Sequence, residues 1–148
     1  MLTSPDFKEL LSIFKKHNVR YLIVGGYAVM KYSEPRFTKD LDLFIAVDKN
    51  NAENVFKSLQ EFGAPLKNLS PKDFTNKAHF YQMGKPPVRV DILMSIDGVE
   101  FETAWKNRET ITVSNVDMVF IGKDDLIAAK RAVGRPQDLI DLESLLNN

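Results

Sequence analysis

The chain has 148 residues, of which 44% are apolar and 27% charged, a composition that builds one ordinary globular domain around its own core. It contains no cysteine, which excludes disulfide frameworks and zinc–thiolate sites and agrees with a reducing, cytoplasmic setting. Twenty basic and twenty acidic residues cancel, so no long-range field draws the whole molecule to a polyanion, and any contact with nucleic acid has to come from a local basic patch.

The first ten residues carry Asp6 and Glu9 and no long apolar run, unlike a signal peptide. No stretch approaches the roughly 18 apolar residues of a membrane span, so no membrane partner is expected. With no internal repeat or low-complexity tract, residues 1–148 are expected to form a single domain.

In chain order, Ser4-Pro5 reads as a helix start, with Ser4 as N-cap and Pro5 in the first turn. Phe7, Leu10, Leu11 and Phe14 follow at helical spacing, and His17-Asn18 ends the helix. Residues 21–24 suit a short buried strand, Gly25-Gly26 breaks it, and residues 27–32 read as a short helix beginning at the glycines. The chain is extended after Glu34-Pro35, with a second strand over residues 41–47. Residues 48–62 form an amphipathic helix with Val55, Phe56, Leu59 and Phe62 on one side. Residues 63–76 hold two prolines and read as loop. Residues 78–83 and 88–93 are strands joined by a hairpin at Gly84-Lys85-Pro86-Pro87. One or two helical turns over residues 101–106 precede strands at 110–113 and 116–120, which turn at Ser114-Asn115. Two helices, 124–133 and 136–146, close the chain with Gly134 between them. The order predicts an α+β fold with a mixed sheet and flanking helices.

Three features carry chemistry. In Asp40-Leu41-Asp42, alternation on a strand projects both carboxylates from one face while Leu41 and Leu43 enter the core. Two like charges side by side repel, and a divalent cation with oxygen ligands, such as magnesium, removes that cost. Among twelve aspartates about one such pair arises by chance, so the pair alone is a weak signal. If the chain is extended from residue 36, Arg36 and Thr38 share the face with Asp40 and Asp42 and supply donors suited to phosphate. Ordinary surface ion pairs are the structural alternative.

Gly25-Gly26, between strand and helix, permits close approach of a phosphate to free N–H groups at a helix start; a tight turn is the simpler explanation. Asp91 interrupts the apolar strand Val90-Asp91-Ile92, where an unpaired carboxylate is costly, so it either pairs with Arg89 or Lys85 or shares a metal with Asp40 and Asp42. Lys130 falls on the apolar side of its helix, where it either snorkels to water or reaches an anion, the triphosphate or the aspartate cluster. His17 and His79 read as structural. Phe101 and Trp105 read as packing, and Lys130, Arg131 and Arg135 as a solvated helix end.

Val24-Gly25-Gly26, thirteen intervening residues, then Asp40-Leu41-Asp42-Leu43 and a later Val90-Asp91-Ile92 resemble the signature of the polymerase-beta-like nucleotidyltransferases. The resemblance implies a palm-like fold in which Asp40 and Asp42 ligate two magnesium ions. Asp91 would ligate one of them and help activate the acceptor hydroxyl, while Gly25 and Gly26 cradle the terminal phosphates. It further implies a nucleoside triphosphate substrate and an acceptor that could be RNA, protein or a small molecule. Residues 36–42, Lys130 and the closing Gly-Arg-Pro-Gln-Asp-Leu run look similar to small stand-alone bacterial and archaeal members, among them toxins of abortive-infection and toxin–antitoxin systems, for which a protein partner is an option. Many active relatives carry a second domain, and 148 residues leave no room for one. A non-catalytic nucleotide- or partner-binding module and a magnesium-dependent phosphohydrolase are therefore the alternatives.

Overall fold

The computed structural model describes residues 4–85 and 88–148. Helix α1 (Pro5–Lys16) is capped by Ser4, whose Oγ accepts a hydrogen bond from the Phe7 amide at 3.5 Å, and its buried stripe is Phe7, Leu10, Leu11, Ile13 and Phe14. Asn18 takes a left-handed φ of 56° to turn the chain into strand β1 (Tyr21–Val24), all four residues of which are buried. Helix α2 (Gly25–Tyr32) follows without a linker, Gly25 absorbing the bend with φ of 70°.

Strand β2 (Asp40–Ile45) leads to α3 (Lys49–Phe62), capped by Asp48 through the Asn51 amide and ended by left-handed Gly63. The buried Asn51 side chain bonds the backbone of Arg20 and Ala46, tying the start of β1 to the end of β2. Hairpin strands β3 (Phe80–Lys85) and β4 (Val88–Leu93) come next, then α4 (Phe101–Lys106), hairpin β5 (Glu109–Val113) and β6 (Val116–Phe120), and helices α5 (Lys123–Val133) and α6 (Pro136–Leu146).

The strands form one mixed sheet in the order β3-β4-β2-β1-β6-β5. The neighbours β2–β4 and β1–β6 are parallel; the other three pairs are antiparallel. Leu41, Leu43 and Ile45 are fully buried on one face of β2, while Asp40, Asp42 and Phe44 share the other. On that second face α2, packed on β1, β2, α5 and α6, covers the sheet's centre. Phe101 packs edge-on to Phe44 at 5.2 Å and stacks on Trp105 at 5.6 Å, so the two aromatics serve packing. The α+β class with a mixed sheet is observed as expected. Among the described residues, no helix is long and apolar enough to cross a membrane.

The differences from the sequence expectation are local. The second strand begins at Asp40 and ends at Ile45 rather than spanning 41–47. The stretch read as loop contains a 3₁₀ turn, Pro71–Thr75, held by the reciprocal Ser70–Asp73 capping box, a short polar signal that apolar periodicity does not register. Strand β3 starts at Phe80 and runs on through Gly84 and Lys85, so the hairpin reversal is shorter than four residues; Pro86 and Pro87 of the expected turn lie outside the described residues, as do residues 1–3. His17 links α1 to α3 through Glu61 at 2.9 Å, in keeping with a structural role.

Candidate active site

The parallel pairing of β2 and β4 sets Asp42 directly opposite Asp91 and Asp40 opposite Arg89. Opposed residues on neighbouring strands project from the same face, so the three carboxylates form one acidic patch. The Asp42 carboxyl is pushed up to about 7 from 3.8, by burial first, then by the Asp91 charge and a hydrogen bond with Asp91, then by Asp40, with Arg89 opposing. Arg89 Nη2 donates to Asp40 Oδ2 at 2.7 Å and lies 3.5 Å from Asp91 Oδ2. Gln82 on β3 donates its Nε2 to Asp91 Oδ1 at 2.9 Å.

The donor set suits a hard divalent cation in kind: three carboxylates, all oxygen, two of them opposed and one driven toward protonation by burial and by its negative neighbours. Among the described residues no three acidic or imidazole groups close on a single point, because Asp40 is engaged by Arg89 while Asp42 and Asp91 face one another. An ion that recruits all three therefore has to take Asp40 from Arg89. On these grounds the residues fit magnesium.

The glycines are built into this patch. A Cβ on Gly25 would stand 2.2 Å from Asp42 Oδ2, and one on Gly26 would stand 2.8 Å from Thr38 Oγ1 and 3.1 Å from Arg36 Nη2. Gly25 thus lies against the carboxylate, whereas Gly26 lies beneath the side chains of Arg36 and Thr38. Those two do not arrive by strand alternation, since residues 34–39 are outside the regular strand. Arg36 instead reaches across to α6, where it forms an ion pair with the buried Asp141. The Nε atoms of Arg36 and Arg89 are buried with no partner among the described residues, two donors left over beside the carboxylates.

Lys130 is nearly buried, with 11% of its side chain exposed, and it resolves neither to water nor to the three aspartates. Its Nζ donates to Asp138 Oδ1 at 3.2 Å and lies 3.0 Å from Asp141 Oδ2, the latter an ion pair off hydrogen-bond alignment. Arg135 also donates to Asp138 Oδ2, through its Nε at 2.8 Å and its backbone amide at 3.1 Å, at the start of α6. Asp138 is held below the usual carboxylate range by Arg135 and Lys130 against the opposing effect of burial. A cleft lined by Gly25, Asp42, Leu126, Lys130, Arg135 and Asp138 joins this network to the acidic patch. A roomier cavity of about 370 Å³ lies beyond Ile96, which lines both, between the C-terminal ends of β2 and β4 and α4.

The fold thus brings Asp40, Asp42, Asp91 and Gly25 together, with Gly26, Arg36 and Thr38 beside them and Lys130 on the far wall of the cleft. Gln82 and Asp141 were not expected at the site, Asp138 figured only as part of the closing Gly-Arg-Pro-Gln-Asp-Leu run, and Arg135 was also read as a solvated helix end. Gln82 carried a usable signal, since it alternates with Gly84 toward the hairpin and so falls near Asp91. Asp138 and Asp141 carried none, being ordinary polar positions of an amphipathic helix until α6 packs down.

An acidic patch on parallel neighbours beside a glycine-started helix is the arrangement that the nucleotidyltransferase resemblance leads one to expect. The chain belongs to the family described as nucleotidyltransferase of unknown function (DUF6036), whose model matches residues 6–146. No curated relative matches it significantly. Among solved structures it is similar to an antigenic nucleotidyltransferase-like protein from Paracoccidioides brasiliensis, with TM-score 0.60, 17% identity, and coverage of 95% of this chain and 73% of that one. It is also similar to the lincosamide antibiotic adenylyltransferase LnuA bound to lincomycin, with TM-score 0.61, 15% identity, and coverage of 98% and 97%. A third is a candidate nucleotidyltransferase from Thermotoga maritima, with TM-score 0.61, 16% identity, and coverage of 95% and 90%. At these identities the likeness is one of fold.

Proposed function

We propose that the protein transfers a nucleoside monophosphate from a nucleoside triphosphate to an acceptor hydroxyl and releases pyrophosphate, in a reducing cytoplasm. The observation that carries this is the opposition of Asp42 and Asp91 across β2 and β4, with Asp40 two residues along the same face and a cation-lined cleft adjoining. Asp40, Asp42 and Asp91 would hold magnesium, which supplies Lewis-acid stabilisation of the attacking and leaving oxygens in an in-line displacement when bound. Asp91, positioned by Gln82, accepts the hydrogen bond of the acceptor hydroxyl and takes its proton as the oxygen bonds to the α-phosphorus. The bond from that phosphorus to its bridging oxygen breaks, and the electron pair leaves with pyrophosphate.

Gly25 keeps the wall beside Asp42 free of any side chain, so the polyphosphate comes close to the start of α2. Lys130 and Arg135 line the cleft and Arg36 binds Asp141 beside it, so these cations, now held by Asp138 and Asp141, are the groups that would turn to the phosphates. Thr38, over Gly26 with Arg36, adds a hydroxyl to that wall. The similarity to a lincosamide adenylyltransferase supports a small-molecule acceptor ahead of RNA or protein.

The test is incubation with each labelled triphosphate, magnesium and host-cell extract. Label on an acceptor with pyrophosphate released supports the reading. Phosphate release without any acceptor makes the protein a phosphohydrolase, and binding without turnover makes it a non-catalytic nucleotide- or partner-binding module.

A further inference from the structure

The acidic patch has two sides. On one lie Gly25, α5 and α6 with their cations; on the other lies β3, whose register sets Gln82 opposite Asp91 and Phe80 opposite Leu93. Residues two apart on a strand share a face, and so do opposed residues on neighbouring strands, so Phe80 and Gln82 stand on the same face as Asp42 and Asp91. That corner is open: Phe80 is 63% exposed, and Gln82 is exposed as well. An in-line displacement needs the nucleophile opposite the leaving group. With pyrophosphate leaving toward Lys130 and Arg135, the acceptor enters from the β3 side.

We infer that Phe80 and Gln82 form the acceptor subsite, and that it selects an uncharged, ring-bearing hydroxyl compound over a polyanion; the inference rests on the transfer reading above. A ring face lying on Phe80 removes its apolar surface from water. Gln82, its N–H committed to Asp91, keeps a carbonyl for a second hydroxyl beside the reacting one. The charged side chains of this strip, among the described residues, are Asp91 and Arg89, and Arg89 is already engaged by Asp40 and Asp91. Among the described side chains on this face of β3 and β4, no cation is left uncommitted to attract a string of phosphates.

The experiment uses the full chain with magnesium and a non-hydrolysable ATP analogue, titrated in turn with methyl glycosides, free nucleosides and a short RNA oligonucleotide, and followed by NMR at the Phe80 ring. A glycoside or nucleoside is expected to shift the Phe80 signals; the two arms tell a sugar acceptor from a base-bearing one. With ATP in place of the analogue, Phe80→Ser is expected to raise the KM for that compound about tenfold with kcat held, as loss of a ring contact does. Phe80→Tyr restores it, and the affinity for magnesium-ATP stays unchanged in both variants. If no ring compound touches Phe80, or if the RNA is labelled equally well by wild type and Phe80→Ser, the subsite is overturned while nucleotidyl transfer stands. Contact at Phe80 without transfer to any acceptor would instead overturn the transfer reading.

Discussion

Asp42 and Asp91 stand directly opposite each other on adjacent parallel strands, and burial, reinforced by the Asp91 charge, drives the Asp42 carboxyl up to about 7. In the unfolded chain Asp42 titrates near its ordinary 3.8. Between those values the folded protein keeps a proton that the unfolded chain has lost, so the folded state binds more protons and stability falls as pH rises. The contribution of this group is complete below about 4 and gone above about 7. Thermal melts in chelator from pH 4 to 8 should show this decline, and magnesium should abolish most of it. Magnesium titrations near pH 6 should also release a proton on binding, measurable as a buffer-dependent heat. A melting temperature that rises with pH across this window contradicts the assignment.

Asp40 and Asp42 differ although they share a motif. Asp42→Asn removes a carboxylate in want of positive charge, so above pH 7 the metal-free protein should melt higher, with transfer abolished. Asp40→Asn strips Arg89 of its 2.7 Å partner and should melt lower, also without transfer. Turnover equal to wild type in either variant removes the proposed catalytic centre.

Gly25→Ala meets two obstacles together. Its φ of 70° disfavours any side chain, and the new Cβ would sit 2.2 Å from Asp42 Oδ2. We expect the variant to lose both magnesium and nucleotide affinity, measured by calorimetry. Gly26→Val acts differently, pushing Thr38 and Arg36 aside, and should weaken triphosphate binding while magnesium binding in the absence of nucleotide persists.

Lys130→Met abandons Asp138 and Asp141, which are 1% and 2% exposed. Breaking a buried ion pair costs about 3 kcal/mol at the lower end, the applicable end here because Arg36 and Arg135 remain nearby. Denaturant unfolding should show that loss before any nucleotide is added, and nucleotide affinity should fall as well. Stability equal to wild type would mean the lysine is free to serve the phosphates alone.

Much of this was legible one residue at a time. The helical spacing of Phe7, Leu10, Leu11 and Phe14, the amphipathic pattern of residues 48–62, the cap at Ser4 and the break at Gly134 are local, and local rules read them. The cap at Asp48 and the left-handed Gly63 appeared only in the structure. Alternation alone put Asp40 and Asp42 on one face, because the period of a strand belongs to its backbone. By itself, then, the sequence determined the mixed α+β class, the elements and the acidic motif. Only the tertiary structure decided that β4 lies beside β2 in the register that opposes Asp91 to Asp42, and that Arg36 and Lys130 close on α6 rather than on the aspartates. The strand register and the Arg36 contact depend on partners far away in the chain, and the Lys130 contact on how α6 folds back against α5. Buried carboxylates such as Asp138 and Asp141 demand countercharge only once packing has removed their water, and that demand cannot be read from the helix that carries them.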